Sequence, residues 1–357
     1  MPVKIFFAGA EEGNKAYPVM NRLKVRYRLM SFYYLRTKSP AKQDQLLYDT
    51  TPRDVCYMVD SGAFTFMETH LKLARQEPAK WWDLMERYVE SYVLFLNKHR
   101  SRLFSCAEMD VDYVLAFEEI WRGAGSWRGA LEEWWDSRRG ARLDGSKGYT
   151  APPIAYWRER IMSAGVTVLV SWHSVREWKG WKDQCQTYRY LALPGGEDVK
   201  EHQWFPYVNE ARKTGTYIHG FAGTKPDWLR RFPLYSVDST SWLMGSKYGN
   251  TMIFQNGRLR FFQHERKEVR KRYKSMYEKF GLDWAKIEKE DPAEVDAMNL
   301  LAWIQYAHFL GTVPNKDYWT KELNGAPLGS LGPPTDWDTA DLLQRSPGAD
   351  ILKQGRA

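Results

Sequence analysis

Residues 216–239 read TYIHGFAGTKPDWLRRFPLYSVDS, and their grammar decides the fold. An apolar, β-branched and aromatic run at 216–219 stops at Gly220-Phe221-Ala222-Gly223. A second run at 234–237 stops at Asp238-Ser239-Thr240. Short apolar runs closed by turn formers are strand signals. Between them Pro226 opens a short helical stretch, where proline is tolerated because the first turn needs no N–H. Strand, helix and strand in this order make a crossover unit of a parallel sheet.

Working outward, the unit recurs. Residues 4–7 lead into Ala8-Gly9-Ala10, and 55–59 into Asp60-Ser61-Gly62. Residues 103–107 lead into Glu108-Met109-Asp110-Val111-Asp112, and 166–170 into Ser171-Trp172-His173. Residues 188–193 end at Pro194-Gly195-Gly196. Helical patterns fall between these strands at 16–36, 78–98, 156–164, 199–213 and 226–231. The first of these reads as one amphipathic, basic helix. Counting 251–255 as an eighth strand, the alternation predicts an α/β fold, a (β/α)8 TIM barrel over residues 1–260. No GxGxxG follows the first strand, which weighs against a dinucleotide-binding sheet.

Two segments exceed a minimal barrel. Residues 121–153 are rich in Trp, Arg and Gly and read as a rim insertion, either a nucleic-acid contact surface or a lid on the barrel. Residues 261–324 form a basic helical extension, within which the stretch 264–289 begins HERKEVRKRYK and reads as a solvated helix face, and 325–357 form a Gly/Pro-rich tail.

Composition bounds the function. The chain has 357 residues, 43% hydrophobic and 27% charged, which excludes a wholly disordered chain. No run approaches the roughly 18–20 apolar residues of a membrane helix. The N-terminal MPVKIFFAGAEEGN reads as a strand rather than a secretory signal. Cys56, Cys106 and Cys185 stand singly, so neither a zinc ribbon nor a disulfide framework is expected, and a reducing cytoplasm fits. The net charge of +8 suits a polyanionic partner. Trp 17, Tyr 21 and Phe 16 among these cations are what base stacking with phosphate neutralisation uses, although core packing accounts for the larger part of them.

Barrel chemistry collects at the C-terminal ends of strands. The candidate site residues are therefore Asp60, Asp110, Asp112, His173, Gly195, Gly196, His219, Gly220 and Asp238. A single Asp after a strand is more often a turn former or a helix cap, the glycines can simply turn the chain, and His219 reads also as a packed histidine. Together, several carboxylates at one mouth suit either a metal site or glycosyl transfer. No HxH or HExxH is present, so no metal or other cofactor is expected. In glycosyl transfer one carboxylate attacks the anomeric carbon and another handles the proton.

The order of these strand ends resembles the tRNA-guanine transglycosylase superfamily. Asp60-Ser61-Gly62-Ala63-Phe64 is similar to its DSGGF/DSGAF signature. The segment from Tyr217 to Leu229 resembles the stretch in which a Gly-rich strand end precedes a Pro-Glu-Asp-Leu helix start, and Asp238 stands at the family's nucleophile. The wording HGFAGTKPDWLRRFPLYSVDSTSW is closer to the bacteriophage and bacterial branch that exchanges guanine in DNA for a 7-deazaguanine such as preQ0. The resemblance covers roughly residues 1–260. It implies Asp238 as nucleophile, Asp60 as proton shuttle, and Asp110 or Asp112 reading the base edge. It adds His173, Gly195, Gly196, His219 and Gly220 around the base. Arg122, Arg128, Arg138, Arg139, Lys225, Arg230, Arg231 and Lys247 are the expected nucleic-acid contacts. The tRNA enzymes bind a structural zinc through three Cys and a His, whereas no cysteine follows Cys185 here, which favours the DNA branch. The implied partners are DNA, with a flipped-out or single-stranded guanine, and the free deazaguanine base. No membrane partner is expected, and monomer or homodimer stays open. The alternatives are a zinc-less tRNA enzyme, a glycosylase that excises without replacing, and a non-catalytic nucleic-acid-binding barrel.

Overall fold

A computed structural model of the protein describes residues 3–49, 51–110, 153–173, 177–194, 204–221 and 223–312. The expected insertion at 121–153, apart from its last residue, lies outside them, as does the tail at 325–357. So do Asp112, Arg122, Arg128, Arg138, Arg139, Gly195 and Gly196.

Eight parallel strands close into a barrel: β1 (Lys4–Phe7), β2 (Tyr27–Ser31), β3 (Cys56–Asp60), β4 (Leu103–Ala107), β5 (Val168–Ser171), β6 (Tyr190–Pro194), β7 (Tyr217–Phe221) and β8 (Ser236–Ser239). Each strand pairs with its sequence neighbours. The ring shuts where β1 meets β8, in the register Lys4↔Ser236, Ile5↔Val237, Phe6↔Asp238 and Phe7↔Ser239. Helices such as Ala63–Gln76, Pro78–His99, Trp204–Thr214 and Pro226–Arg231 make the crossovers. This is the TIM barrel that the strand–helix alternation predicts.

The structure corrects which segment is the eighth strand. The stretch at 16–36 is not one helix. It divides into helix Gly13–Arg22, strand β2 and the single turn Phe32–Leu35. Its basic residues are in part buried. Arg28 is fully buried, donating from Nε to the Val25 carbonyl and from Nη2 to Asn21 Oδ1. The eighth barrel strand is therefore β2. Residues Thr251–Gln255 form β9, which pairs antiparallel with β10 (Arg258–Phe262) outside the barrel. Asn256 and Gly257 join them, both at positive φ (50° and 70°). An Asn-Gly pair between two β runs is a hairpin signal in its own right.

Two apolar layers fix the barrel. Inside, Phe6, Tyr27, Phe104, Tyr190, Tyr217 and Tyr235 fill the lumen, so it is a packed core and not a pore. Tyr217 and Tyr235 stack at 4.3 Å, and the Lys4 ammonium lies 3.8 Å from the Tyr235 ring. Outside, between strands and helices, Trp81, Trp157, Trp172, Trp181, Trp204, Trp242 and Trp303 are fully buried. Much of the tryptophan surplus is thus packing, which removes that part of the composition argument for base stacking.

The basic stretch at 264–289 breaks into a kinked 3-10 segment, His264–Tyr273, and the short helices Lys274–Lys279 and Trp284–Glu288. Arg270 turns inward to Thr251 Oγ1 (2.6 Å) and the Gly249 carbonyl (2.5 Å). Helix Pro292–Thr312 then lies against helix Gly13–Arg22 and β9. Its Glu294 takes a two-pronged bond from Arg22, and its Asn299 bonds Met252 N and the Asn250 carbonyl. Among the described residues no helix is long and apolar enough to cross a membrane.

Candidate active site at the barrel mouth

Side chains alternate inward and outward along a strand, so each strand delivers its last inward residue to the same rim. β3 ends on Asp60, opposite Ser31 of β2 in register. β8 delivers Asp238, opposite Phe6 of β1. Asp110 follows β4, and His173 follows β5. β7 delivers His219, level with Ser236 of β8. Five of the sequence-predicted residues therefore meet at one mouth: Asp60, Asp110, His173, His219 and Asp238.

The Asp60 carboxyl is pushed up to about 6. Burial is the main cause, and the negative charges of Asp110 and then Asp238 add to it. The Gly62 N–H, donating to Oδ2 at 3.0 Å, and the Ser31 hydroxyl act against the rise. Three carboxylates are thus close enough to feel one another, and one of them keeps its proton into the range where acid–base chemistry runs near neutrality.

The Asp60 loop is built on a glycine. Gly62 sits at φ +76°, and a Cβ there would stand 2.5 Å from the Tyr33 Cβ. Tyr88 donates from its hydroxyl to the Ser61 carbonyl at 2.6 Å, holding the loop from behind. Tyr92 bonds the carbonyls of Val59 and Ala107 at 3.0 and 3.1 Å, tying the ends of β3 and β4.

Asp110 Oδ2 and His173 Nε2 are 2.7 Å apart. A buried clamp sets their spacing. Glu108 is fully buried and accepts from the Ser171 backbone N–H (2.6 Å) and from Arg158 Nε (2.5 Å). Arg158 also reaches Tyr188 Oη at 2.9 Å. Asp110 is two residues beyond Glu108, and His173 two beyond Ser171, so the clamp fixes both rims at once. Sequence reading passed over Glu108 and Arg158. The only signal was a Glu inside an apolar strand end, which needs a buried partner.

His219 is fully buried. Its Nε2 lies 3.2 Å from Asp238 Oδ1 and its Nδ1 2.8 Å from Ser236 Oγ. Ser236 Oγ is in turn 2.5 Å from Tyr190 Oη. Ser236 and Tyr190 also escaped the sequence reading. The period-2 step from Ser236 to Asp238 was the available cue.

Other expected residues fall elsewhere. Gly220 faces the helix layer, where a Cβ would meet Leu234, Trp204 and Val237 at 3.2–3.3 Å. Its carbonyl accepts from Gly223 N–H. Lys225 is exposed at the start of helix Pro226–Arg231, beside the end of β7, with its ammonium 4.7 Å from the Trp228 ring. Arg230 and Arg231 occupy the last turn of that helix, where the chain returns toward the start of β8. Lys247 is exposed on the short helix Met244–Tyr248 that follows β8.

Among the described residues no group of three or more His, Cys, Asp or Glu is arranged to hold a metal ion. No protein-family model matches the chain, and no curated protein matches it. The arrangement itself offers a carboxyl raised to about 6, a second carboxylate beside a histidine, and a third carboxylate beside another histidine. That set can run nucleophilic displacement with proton transfer.

Proposed function

We propose that the protein is a base-exchange transglycosylase of the tRNA-guanine transglycosylase superfamily. It acts on DNA, replacing guanine by a 7-deazaguanine such as preQ0. The observation that carries this reading is the convergence of Asp60, Asp110 and Asp238 on one mouth, close enough for the other two charges to raise Asp60. The ordered strand-end motifs resemble that superfamily, and the segment from His219 to Trp242 resembles its DNA-acting branch.

In this mechanism an Asp238 carboxylate oxygen bonds to C1′ of deoxyguanosine. The C1′–N9 bond breaks and its electron pair stays on guanine, which takes a proton from protonated Asp60. The DNA is left joined to Asp238 as a glycosyl ester. The incoming deazaguanine gives its N9 proton to ionised Asp60 and attacks C1′, and the bond to Asp238 breaks with its pair returning to the carboxylate. Two displacements retain configuration. Asp110 accepts from the N1–H and exocyclic amine of the base, while His173 beside it would donate to the ring carbonyl. The target base has to leave the stack or be single-stranded, at a cost of a few kcal/mol.

The test is incorporation of radiolabelled guanine and preQ0 into DNA and into tRNA, with Asp238→Ala as control. Label in DNA, absent with the variant, is expected. Label in tRNA alone keeps the mechanism and overturns the polymer. Abasic sites formed at full rate without added base would make the protein an excising glycosylase. Salt-sensitive binding with no exchange would make it a non-catalytic barrel.

A further inference from the structure

Tyr190, Ser236, His219 and Asp238 form a continuous line of polar atoms from the lumen to the mouth, with separations of 2.5, 2.8 and 3.2 Å. Tyr190, Ser236 and His219 are all buried. The direction of the donors follows from their chemistry. A carboxylate only accepts, so Asp238 Oδ1 needs a proton on His219 Nε2. A neutral imidazole with that proton has an acceptor at Nδ1, so Ser236 donates its hydroxyl proton to it. Ser236 Oγ is then left to accept, and the Tyr190 hydroxyl donates. Burial keeps Tyr190 a donor by pushing its hydroxyl well above its usual range. The reverse direction would set two acceptors against each other at the mouth. The His219 ring is also walled in, with Phe221 at 4.9 Å, Tyr190 at 6.4 Å and Phe6 at 6.5 Å between centroids.

We propose that Tyr190, Ser236 and His219 are a one-way hydrogen-bond chain that locks the proton of His219 on Nε2, making His219 a positioning residue for Asp238. This rests on the assignment of Asp238 as nucleophile. It also moves His219 away from the base-contacting role that the strand-end order implied. The chain acts at the nucleophile, where His219 Nε2 meets Asp238 Oδ1. When the incoming base attacks, the electron pair of the C1′–Asp238 bond returns to the carboxylate, and the Nε2–H donor meets the developing charge.

The first test needs no substrate. In nitrogen-15 NMR of the ligand-free protein, the His219 proton is expected on Nε2, with Nδ1 accepting. A proton on Nδ1, or on both nitrogens at pH 7, overturns the chain. Ser236→Ala removes the donor to Nδ1, and a mixed tautomer is expected, together with a lower Tm because His219 Nδ1 and the Tyr190 hydroxyl lose a buried partner. An unaltered tautomer overturns the chain equally. The second test is kinetic. His219→Leu is expected to lower kcat about 100-fold, the scale for losing one donor to a developing anion, with KM for the incoming base within about threefold. His219→Gln, which can still donate, is expected to recover to within about tenfold of wild type. A rise in KM at unchanged kcat would show that His219 contacts the base, and would overturn the positioning role. If Asp238→Asn retains activity, the nucleophile assignment falls, whereas the NMR result still decides the hydrogen-bond chain.

Discussion

At the residue scale, Asp60 pays for its place in the site. Its carboxyl is held at about 6 in the fold, above the ~3.9 of an unfolded chain. Below about pH 4 it is protonated in both states and costs nothing. As pH rises from about 4 to 6 the unfolded chain ionises first, so stability is lost. Above 6 the penalty is complete, roughly 2–3 kcal/mol. Asp60→Asn should therefore match wild type in thermal stability at pH 4 and exceed it at pH 8 by about 1–2 kcal/mol, while losing exchange activity. A less stable variant at pH 8 would mean that the carboxylate is stabilised where burial argues it is strained. Gly62 is a second single-residue test. Ala there meets both the positive φ and the Tyr33 Cβ at 2.5 Å, so Gly62→Ala should cost more than about 2 kcal/mol in a denaturant titration.

At the element scale, the β4–β5 clamp carries the Asp110–His173 pair. Arg158→Leu leaves Glu108 buried without its partner, and removing one member of a buried pair costs about 3–5 kcal/mol. The expected result is a lower denaturation midpoint, with a greater loss of base affinity than of nucleophile trapping. Elements also show what the sequence made legible. β1, β4 and helix Pro226–Arg231 have the bounds their apolar runs and breakers suggest, because there the local pattern and the tertiary burial agree. β2 was hidden because Arg26 and Arg28 broke the apolar run, and only the fold reveals that Arg28 points into a buried niche under the Tyr17 ring, 5.2 Å away. β9 misled for the opposite reason. It is apolar and buried, but its partner is β10 across an Asn-Gly turn. For the site, the carboxylates and both histidines could be read from strand ends. The partners that fix them, Ser236, Tyr190, Glu108 and Arg158, could not, since hydrogen bonds between strands depend on register, and register is a property of the closed barrel.

At the scale of the whole molecule, the barrel is sealed by a helix distant in sequence. Pro292–Thr312 joins Arg22 through Glu294, Ser246 N through Asp296 (2.8 Å), the β9 approach through Asn299, and the Pro226 carbonyl through Tyr306 (2.6 Å). Asn299→Ala strands the Met252 N–H and the Asn250 carbonyl, and should destabilise by about 2–4 kcal/mol in urea titration without altering the pH dependence of activity. The helix is thus packed as part of the same body as the barrel.

The most direct measurement of the central claim is trapping of the covalent intermediate. Wild-type protein is mixed with end-labelled guanine-containing DNA, without any incoming base, and resolved on a denaturing gel. The expected result is a protein–DNA species that disappears on adding preQ0, is absent with Asp238→Asn, and maps by mass spectrometry to the peptide bearing Asp238. Base exchange with no such species, or a species that persists with Asp238→Asn, would contradict it.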